Sequence, residues 1–162
     1  MQLSKAGIAF IKQNEGTEPN SHKYGVWHAY QDCVGVWTIY YGLTYIKLND
    51  VVTKVNESTT LTDIEAECAF KESLSDFEEC VNDLCQRDNV QLKQCEFDAL
   101  VDFAFNLGCR ALRNSCLWNY GVKCHNRERT IKEFGRWVIA GGKRNAGLVA
   151  RRAREVSLFC GV

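Results

Sequence analysis

Apolar residues recur along this chain at two different periods. Phe70, Leu74, Phe77, Val81 and Leu84 follow one another at alternating spacings of four and three, the period of one face of a helix, and predict a long amphipathic helix over about 63–86. Thr62-Asp63-Ile64-Glu65 stands at its start as a capping-box signature. A first helix is predicted over 3–15, with Ser4 as N-cap and Gly16 just past its end. Ile8, Ile11 and Glu15 share one face of it, so the Glu15 carboxylate continues an apolar stripe and is expected at the edge of a core. Residues 92–107 predict an apolar helix ended by Gly108. A short helix is expected after Asn114-Ser115, another over 127–139 before Gly141-Gly142, and a last one over 146–159.

Between the first two helices the pattern changes. Residues 17–28 are polar and aromatic, contain Pro19, Asn20, Ser21 and Gly25, and read as a loop. Residues 34–55 are rich in Val, Ile, Thr and Tyr and are broken by Gly35, Gly42 and Asn49-Asp50, which predicts two or three short strands. The expected fold class is α+β, mostly helical and two-lobed. One domain over 1–162 would comprise a small N-terminal lobe with a β-hairpin (about 1–62), the connecting helix (about 63–86) and a helical C-terminal lobe (about 87–162). A cleft between lobes is a natural seat for an extended polymer.

Composition narrows the classes. With 162 residues, 46% of them hydrophobic, and a single Pro, the chain has the makings of a real core and not of disorder. No apolar run approaches the ~20 residues of a membrane span. Met1-Gln2-Leu3-Ser4-Lys5 leads into no signal peptide. Net charge is zero, which argues against nucleic acid as main partner. The charge is uneven, however: residues 50–98 hold 13 acids against 4 Lys/Arg, and residues 121–160 hold 10 Lys/Arg against 3 acids. These stretches read either as solvated helical faces or as a basic lobe that attracts an anionic polymer. Nine cysteines, at 33, 68, 80, 85, 95, 109, 116, 124 and 160, leave at least one unpaired within the chain, and their number leans toward an oxidising destination. Cys124-His125 lacks a C-x2-C companion, so no metal and no cofactor is expected. His22, His28 and His125 read as surface or loop residues. Of the four tryptophans, Trp27 is the one expected to be exposed.

The candidate chemistry lies early in the chain. Asp32 precedes Thr38 by six residues inside a hairpin-like run, and Glu15 closes the first helix. Two carboxylates on different elements are the minimum equipment for breaking a glycosidic bond. One kept protonated gives a proton to the leaving oxygen. The other stays ionised, and either activates water from roughly 6.5–9.5 Å away or attacks directly from about 5–5.5 Å.

These residues also resemble a known family. Glu15-Gly16, followed by Tyr30-x-Asp32-x-x-Gly35-x-x-Thr38-Ile39-x-Tyr41-Gly42, is similar to the active-site run of the phage-type lysozymes, the endolysin muramidases of glycoside hydrolase family 24. Phe97 through Gly108 resembles that family's helix beneath the cleft. Phe134-x-x-Trp137 with Ala140-Gly141-Gly142-Lys143, then Gly147-Leu148-Val149-x-Arg151-Arg152-x-x-Glu155, resembles its C-terminal signature. The resemblance implies a lysozyme-like fold and hydrolysis of the β-1,4 bond between N-acetylmuramic acid and N-acetylglucosamine in peptidoglycan. It implies that Glu15 is the general acid, Asp32 the second carboxylate and Thr38 a helper that holds the water or the Asp. Family precedent favours water attack and inversion. It further implies substrate contacts from Phe105, Asn106 and Ser115, joined here by Tyr41 and Trp27, and places Arg151 and Arg152 beneath the cleft. A catalytically weak lysozyme fold that binds glycan or protein is the alternative, with a disulfide-rich structural domain behind it.

The chain departs from the pattern in four places. Sixteen residues separate Glu15 from Asp32, more than is usual in that family. The extra residues, within Thr17–His28, are either a tolerated surface insertion or a flap carrying Tyr24 and Trp27 that meets substrate or a protein partner. They also introduce Glu18 as a rival acid. Tyr40 stands where the family commonly has Gly, and is either a strand aromatic or a group that narrows the cleft; Leu43 stands where His is frequent. Cys33, beside Asp32, is either an inert thiol or a redox latch. The expected partner is the glycan strand of peptidoglycan, met by a monomer that is secreted or delivered to the periplasm or cell wall.

Overall fold

In the computed structural model, which describes every residue except Cys33, Asn49 and Asp50, helix α1 (Lys5–Glu15) begins where a cap allows it to. The Ser4 hydroxyl accepts the Gly7 N–H at 3.0 Å. At the other end Gly16 bonds its N–H to the Lys12 carbonyl. The chain divides into two compact units, Met1–Ile11 with Phe77–Val162, and Lys12–Asp76.

Among the described residues, the Lys12–Asp76 unit holds seven short strands: β1 (His22–Lys23), β2 (Val26–His28), β3 (Tyr30–Gln31), β4 (Trp37–Thr38), β5 (Tyr45–Leu48), β6 (Val51–Lys54) and β7 (Thr60–Thr62). They form a three-stranded antiparallel sheet of order β1-β2-β7 and two separate antiparallel pairs, β3-β4 and β5-β6. The expectation of a loop over 17–28 is therefore corrected. Lys23 pairs with Val26, and the two residues between them, Tyr24 and Gly25, have φ of 54° and 77°. That is the left-handed two-residue turn whose twist suits a hairpin. β2 then finds partners for its other edge on β7, in the register Val26–Thr62, Trp27–Leu61, His28–Thr60.

Helix α2 (Asp63–Asp88) starts at the predicted capping box. Thr62 Oγ1 accepts the Glu65 N–H at 3.3 Å, and Glu65 Oε2 accepts the Thr62 N–H at 2.8 Å. Its apolar face is buried at Phe70 and Leu74 in this unit, beside Ile39, Leu43, Ile46, Val55 and Leu61. Burying such a side chain contributes ~1.5–3 kcal/mol.

In the other unit, α2 continues through the buried Val81 and Leu84. It is followed by α3 (Gln94–Leu107), α4 (Cys109–Asn114), a π-helical turn (Leu117–Val122), α5 (Arg127–Phe134), the hairpin β8 (Ile139–Ala140) and β9 (Lys143–Arg144), and α6 (Ala146–Cys160). The core here is Phe97, Leu100, Phe103, Leu112, Leu117, Trp118 and Phe134. Two boundaries differ from expectation. Helix α4 ends at Asn114, with Ser115 as its C-cap, and the π-helical turn follows. Helix α5 ends at Phe134, because Gly141 and Gly142, at φ 57° and 75°, form the turn of the β8-β9 hairpin and do not stop a helix.

Arg151 and Arg152, on one side of α6, are buried and paired. Arg151 donates from Nε and Nη2 to the two oxygens of Asp102, at 3.1 and 2.8 Å. Arg152 Nη2 reaches Glu155 Oε1 and, at 2.9 Å, Asn106 Oδ1, and its guanidinium lies 5.0 Å from the Phe103 ring centre. Burial, reinforced by a hydrogen bond with Asp102, pushes the Glu155 carboxyl up to about 10. At the end of α2, Asp88 accepts the indole N–H of Trp118 at 2.7 Å and Lys123 Nζ at 3.0 Å; hydrogen bonds from Arg87 and Trp118 hold its carboxyl well below the usual range. Among the described residues, the eight cysteines are all free thiols. Burial and a hydrogen bond with Cys109 push the Cys80 thiol up to about 12. No helix of the described residues is long and apolar enough to cross a membrane.

Candidate active site

Glu15, Trp27, Asp32, Thr38 and Tyr41 all fall in the Lys12–Asp76 unit; Phe105, Asn106 and Ser115 fall in the other. Glu15 is the last residue of α1, and its position there leaves the carboxylate half-buried. The turn after β4 borders it. A Cβ built on Gly42 would lie 3.1 Å from Glu15 Oε2, and Gly42 has φ 84°. Both the backbone conformation and the approach of the carboxylate therefore require glycine here.

Asp32 is held by its own turn. Its Oδ1 accepts the backbone N–H groups of Val34, at 3.0 Å, and Val36, at 2.8 Å. Its backbone N–H bonds to the Val36 carbonyl and its carbonyl accepts the Gly35 N–H, each at 3.0 Å. Two N–H donors on one oxygen fix the carboxylate in place. Thr38 is buried opposite Tyr30 in the β3-β4 ladder, and its hydroxyl donates to the Val36 carbonyl at 3.1 Å. Thr38 thus braces the same turn that aims Asp32. Tyr30 connects the acids: burial raises its phenol above the ordinary range, and the negative charges of Glu18, Asp32 and Glu15 raise it further. Three carboxylates therefore act on one phenol. Of the three, Glu18 is exposed, whereas Glu15 and Asp32 are half-buried.

The aromatic residues form a stack. Trp27 is half-buried and not, as expected, the exposed tryptophan. His22 stacks on it with ring centres 4.3 Å apart, and its indole N–H donates to Asp63 Oδ1 at 2.8 Å. It meets the Tyr40 ring edge-on at 4.7 Å, and Tyr40 meets Tyr41 at 4.4 Å. The exposed aromatic of the insertion is Tyr24, at the hairpin tip. Tyr40 is no strand residue; it sits in the turn at φ 55°.

In the other unit, Phe105 packs edge-on against Phe77 with ring centres 5.3 Å apart. Asn106 is half-buried and receives Arg152. Ser115 is buried, with its hydroxyl donating to the Leu112 carbonyl at 2.7 Å and accepting the Trp118 N–H at 3.0 Å, which gives it a capping function. Cys33 lies outside the described residues, so the latch expectation stays with the sequence.

Sequence reading missed Lys12 and Glu67 as parts of this neighbourhood, and had Gly42 only as a position of the motif. Lys12 Nζ pairs with Glu67 and donates to Tyr40 Oη at 3.1 Å. Burial pulls the Lys12 ammonium down, but hydrogen bonds to Glu67 and Tyr40 outweigh it and hold it above the lysine range. The available signal was slight: a lysine three residues before the candidate acid, on a helix whose stripe is otherwise apolar.

Residues 24–155 match the family model described as phage lysozyme. Asp32 and Thr38 lie inside that match, and Glu15 lies ahead of it. The chain is 35% identical to an endolysin of Bacillus phage PZA over 162 residues, which cover 98% of this chain and 55% of that protein. It thus spans about half the length of that relative. With the endolysin of Salmonella phage P22 it shares 30% identity over 160 residues, covering 98% of each. Among solved structures, the endolysin from Escherichia coli O157:H7 phage FAHEc1 matches with a TM-score of 0.80 at 29% identity, covering 98% of this chain and 93% of that one.

Proposed function

The chain belongs to the phage lysozyme family, and from that premise we propose that it is a muramidase cleaving the β-1,4 bond between N-acetylmuramic acid and N-acetylglucosamine of peptidoglycan. One observation carries the reading. A half-buried glutamate at a helix end and an aspartate fixed by two backbone N–H groups occur in one small unit, and both act on Tyr30.

Glu15 gives its proton to the leaving sugar oxygen as the bond breaks, a step worth ~10²–10⁴ in rate for a well-placed acid. Asp32, as the base, accepts a proton from water attacking the opposite face of the sugar; Thr38 keeps the Asp32 turn in place. Oxygen from water ends on the anomeric carbon with inverted configuration; Asp32 then releases its proton to solvent and Glu15 regains one from solvent. Tyr41, Phe105 and Asn106 supply contacts to the glycan, with Trp27 behind Tyr40 and Tyr41. Ser115 acts indirectly, by fixing the backbone after α4. The fully exposed Tyr24 at the insertion tip is available to substrate or a protein partner. Such an enzyme works at the cell wall, reached by secretion or delivery to the periplasm.

The test is digestion of purified peptidoglycan. Wild type should release soluble muropeptides with new N-acetylmuramic acid reducing ends, and Asp32→Asn should lose at least a hundredfold of that rate. Proton NMR of the first-formed product should show the α-anomer. An inactive wild type would reject the enzyme reading in favour of a glycan-binding fold, and a β-anomer would replace water attack by direct attack of Asp32.

A further inference from the structure

Tyr40 has a backbone that folding alone does not favour. At φ 55° it is an aromatic residue in the left-handed region, a conformation that costs ~1–2 kcal/mol for a side chain with a Cβ and persists where the surroundings impose it. Here they do. The ring is buried and touches Trp27, Tyr41 and Phe70, with centres 4.7, 4.4 and 5.8 Å away. Its hydroxyl donates to Glu67 Oε2 at 2.9 Å and accepts from Lys12 Nζ at 3.1 Å. Lys12 also pairs directly with Glu67, closing a triangle between α1, the turn after β4, and α2.

Two corners of that triangle lead to Glu15. Lys12 precedes it by three residues on α1, one helical turn away. Gly42 follows Tyr40 by two residues, and its missing Cβ would stand 3.1 Å from Glu15 Oε2. The triangle therefore ties the helix turn that carries the acid to the hairpin turn that borders it. We propose that Tyr40, with Lys12 and Glu67, is a positioning residue that holds the Gly42 turn against the Glu15 carboxylate. The proposal rests on Glu15 being the acid.

Positioning of the proton donor governs the chemical step and leaves ground-state glycan binding alone, so its loss appears in kcat and not in KM. The experiment compares wild type, Tyr40→Phe, Lys12→Met, Lys12→Arg and Glu15→Gln on soluble glycan-strand oligomers, with thermal melts of each. Tyr40→Phe keeps the rings and removes only the hydroxyl. Tyr40→Phe and Lys12→Met should each lower kcat about tenfold with KM within about twofold, and melt within about 5 °C of wild type. Lys12→Arg, which keeps charge and donors, should recover most of the loss. Wild-type kcat in both Tyr40→Phe and Lys12→Met overturns the proposal. So does a fall in kcat that follows the melting temperature and is not recovered by Lys12→Arg. Full activity of Glu15→Gln rejects the acid assignment itself, whereas an inactive Glu15→Gln beside a fully active Tyr40→Phe rejects only the triangle.

Discussion

Asp102, Arg151, Arg152 and Glu155 are sealed inside the unit built on α3 and α6, each no more than 6% exposed, whereas Glu15 and Asp32 in the Lys12–Asp76 unit are half-buried. The buried set is held by other side chains: Arg151 forks onto Asp102, and Arg152 bridges Asn106 and Glu155. Even so, Arg152 Nε, Arg152 Nη1 and Glu155 Oε2 have no hydrogen-bond partner among the described residues. The candidate catalytic set is held by backbone and glycine: two N–H groups on Asp32, and a turn without a Cβ beside Glu15. The Asp102–Arg151 pair, charge against charge, serves the fold, since removing one partner strands the other in a medium that solvates it poorly. Asp32, fixed by backbone donors, stays partly exposed, as a group that meets a substrate must.

The sharpest way to break this contrast is to injure each set and measure stability and turnover separately. Asp102→Ala strips Arg151 of its two-pronged buried partner and should cost ~3–5 kcal/mol, lowering the melting temperature by roughly 10 °C in a chain of this size, while kcat per folded molecule is unchanged below the transition. Gly42→Ala should do the reverse in emphasis. The positive φ costs ~1–2 kcal/mol, and the new methyl, crowding Glu15 Oε2, should reduce kcat more than tenfold. Loss of stability without loss of turnover in Gly42→Ala would remove the turn from the active site.

Glu155 gives a smaller effect with a defined sign. Its folded pKa is raised to about 10, so between the ordinary glutamate value and that point the native state binds a proton that the unfolded chain releases. Stability from this group is full at low pH and is lost as pH rises through the window. Glu155→Gln should therefore melt no lower than wild type at pH 8, and its stability should fall less steeply from pH 5 to 9, in urea titrations across that range. A Glu155→Gln variant that is strongly destabilised at pH 8 would mean the carboxylate is ionised and needed there. Tyr24→Ser should have the smallest effect, with melting and kcat near wild type and any change confined to KM on intact peptidoglycan.

Sequence pattern and structure agree where the physics is local. α2 announces itself through its period and its capping box, and Ser4 and Gly16 bound α1, because each depends on neighbours within a few residues. The β1-β2 hairpin was illegible: strands of two and three residues show no alternation, and its turn places Tyr24, not only Gly25, at positive φ. The candidate acids Glu15 and Asp32 are legible as residue types at the edge of a helix and in a hairpin run. The Lys12–Tyr40–Glu67 triangle was not, since its members are up to 55 residues apart and only folding brings them together. Ser115 is a substrate contact only by family resemblance; a serine in sequence carries no mark of whether its hydroxyl caps a helix.

The contrast between the two charged regions depends most on Glu15 being the proton donor, and the exposed Glu18 is its rival on the same side of Asp32 in sequence. Release of muropeptides from purified peptidoglycan by Glu15→Gln and Glu18→Gln, each measured beside wild type with its thermal melt, tests this directly. The account predicts a loss of at least about a hundredfold for Glu15→Gln at near-wild-type stability, and wild-type release for Glu18→Gln. Full release by Glu15→Gln together with an inactive Glu18→Gln would contradict it.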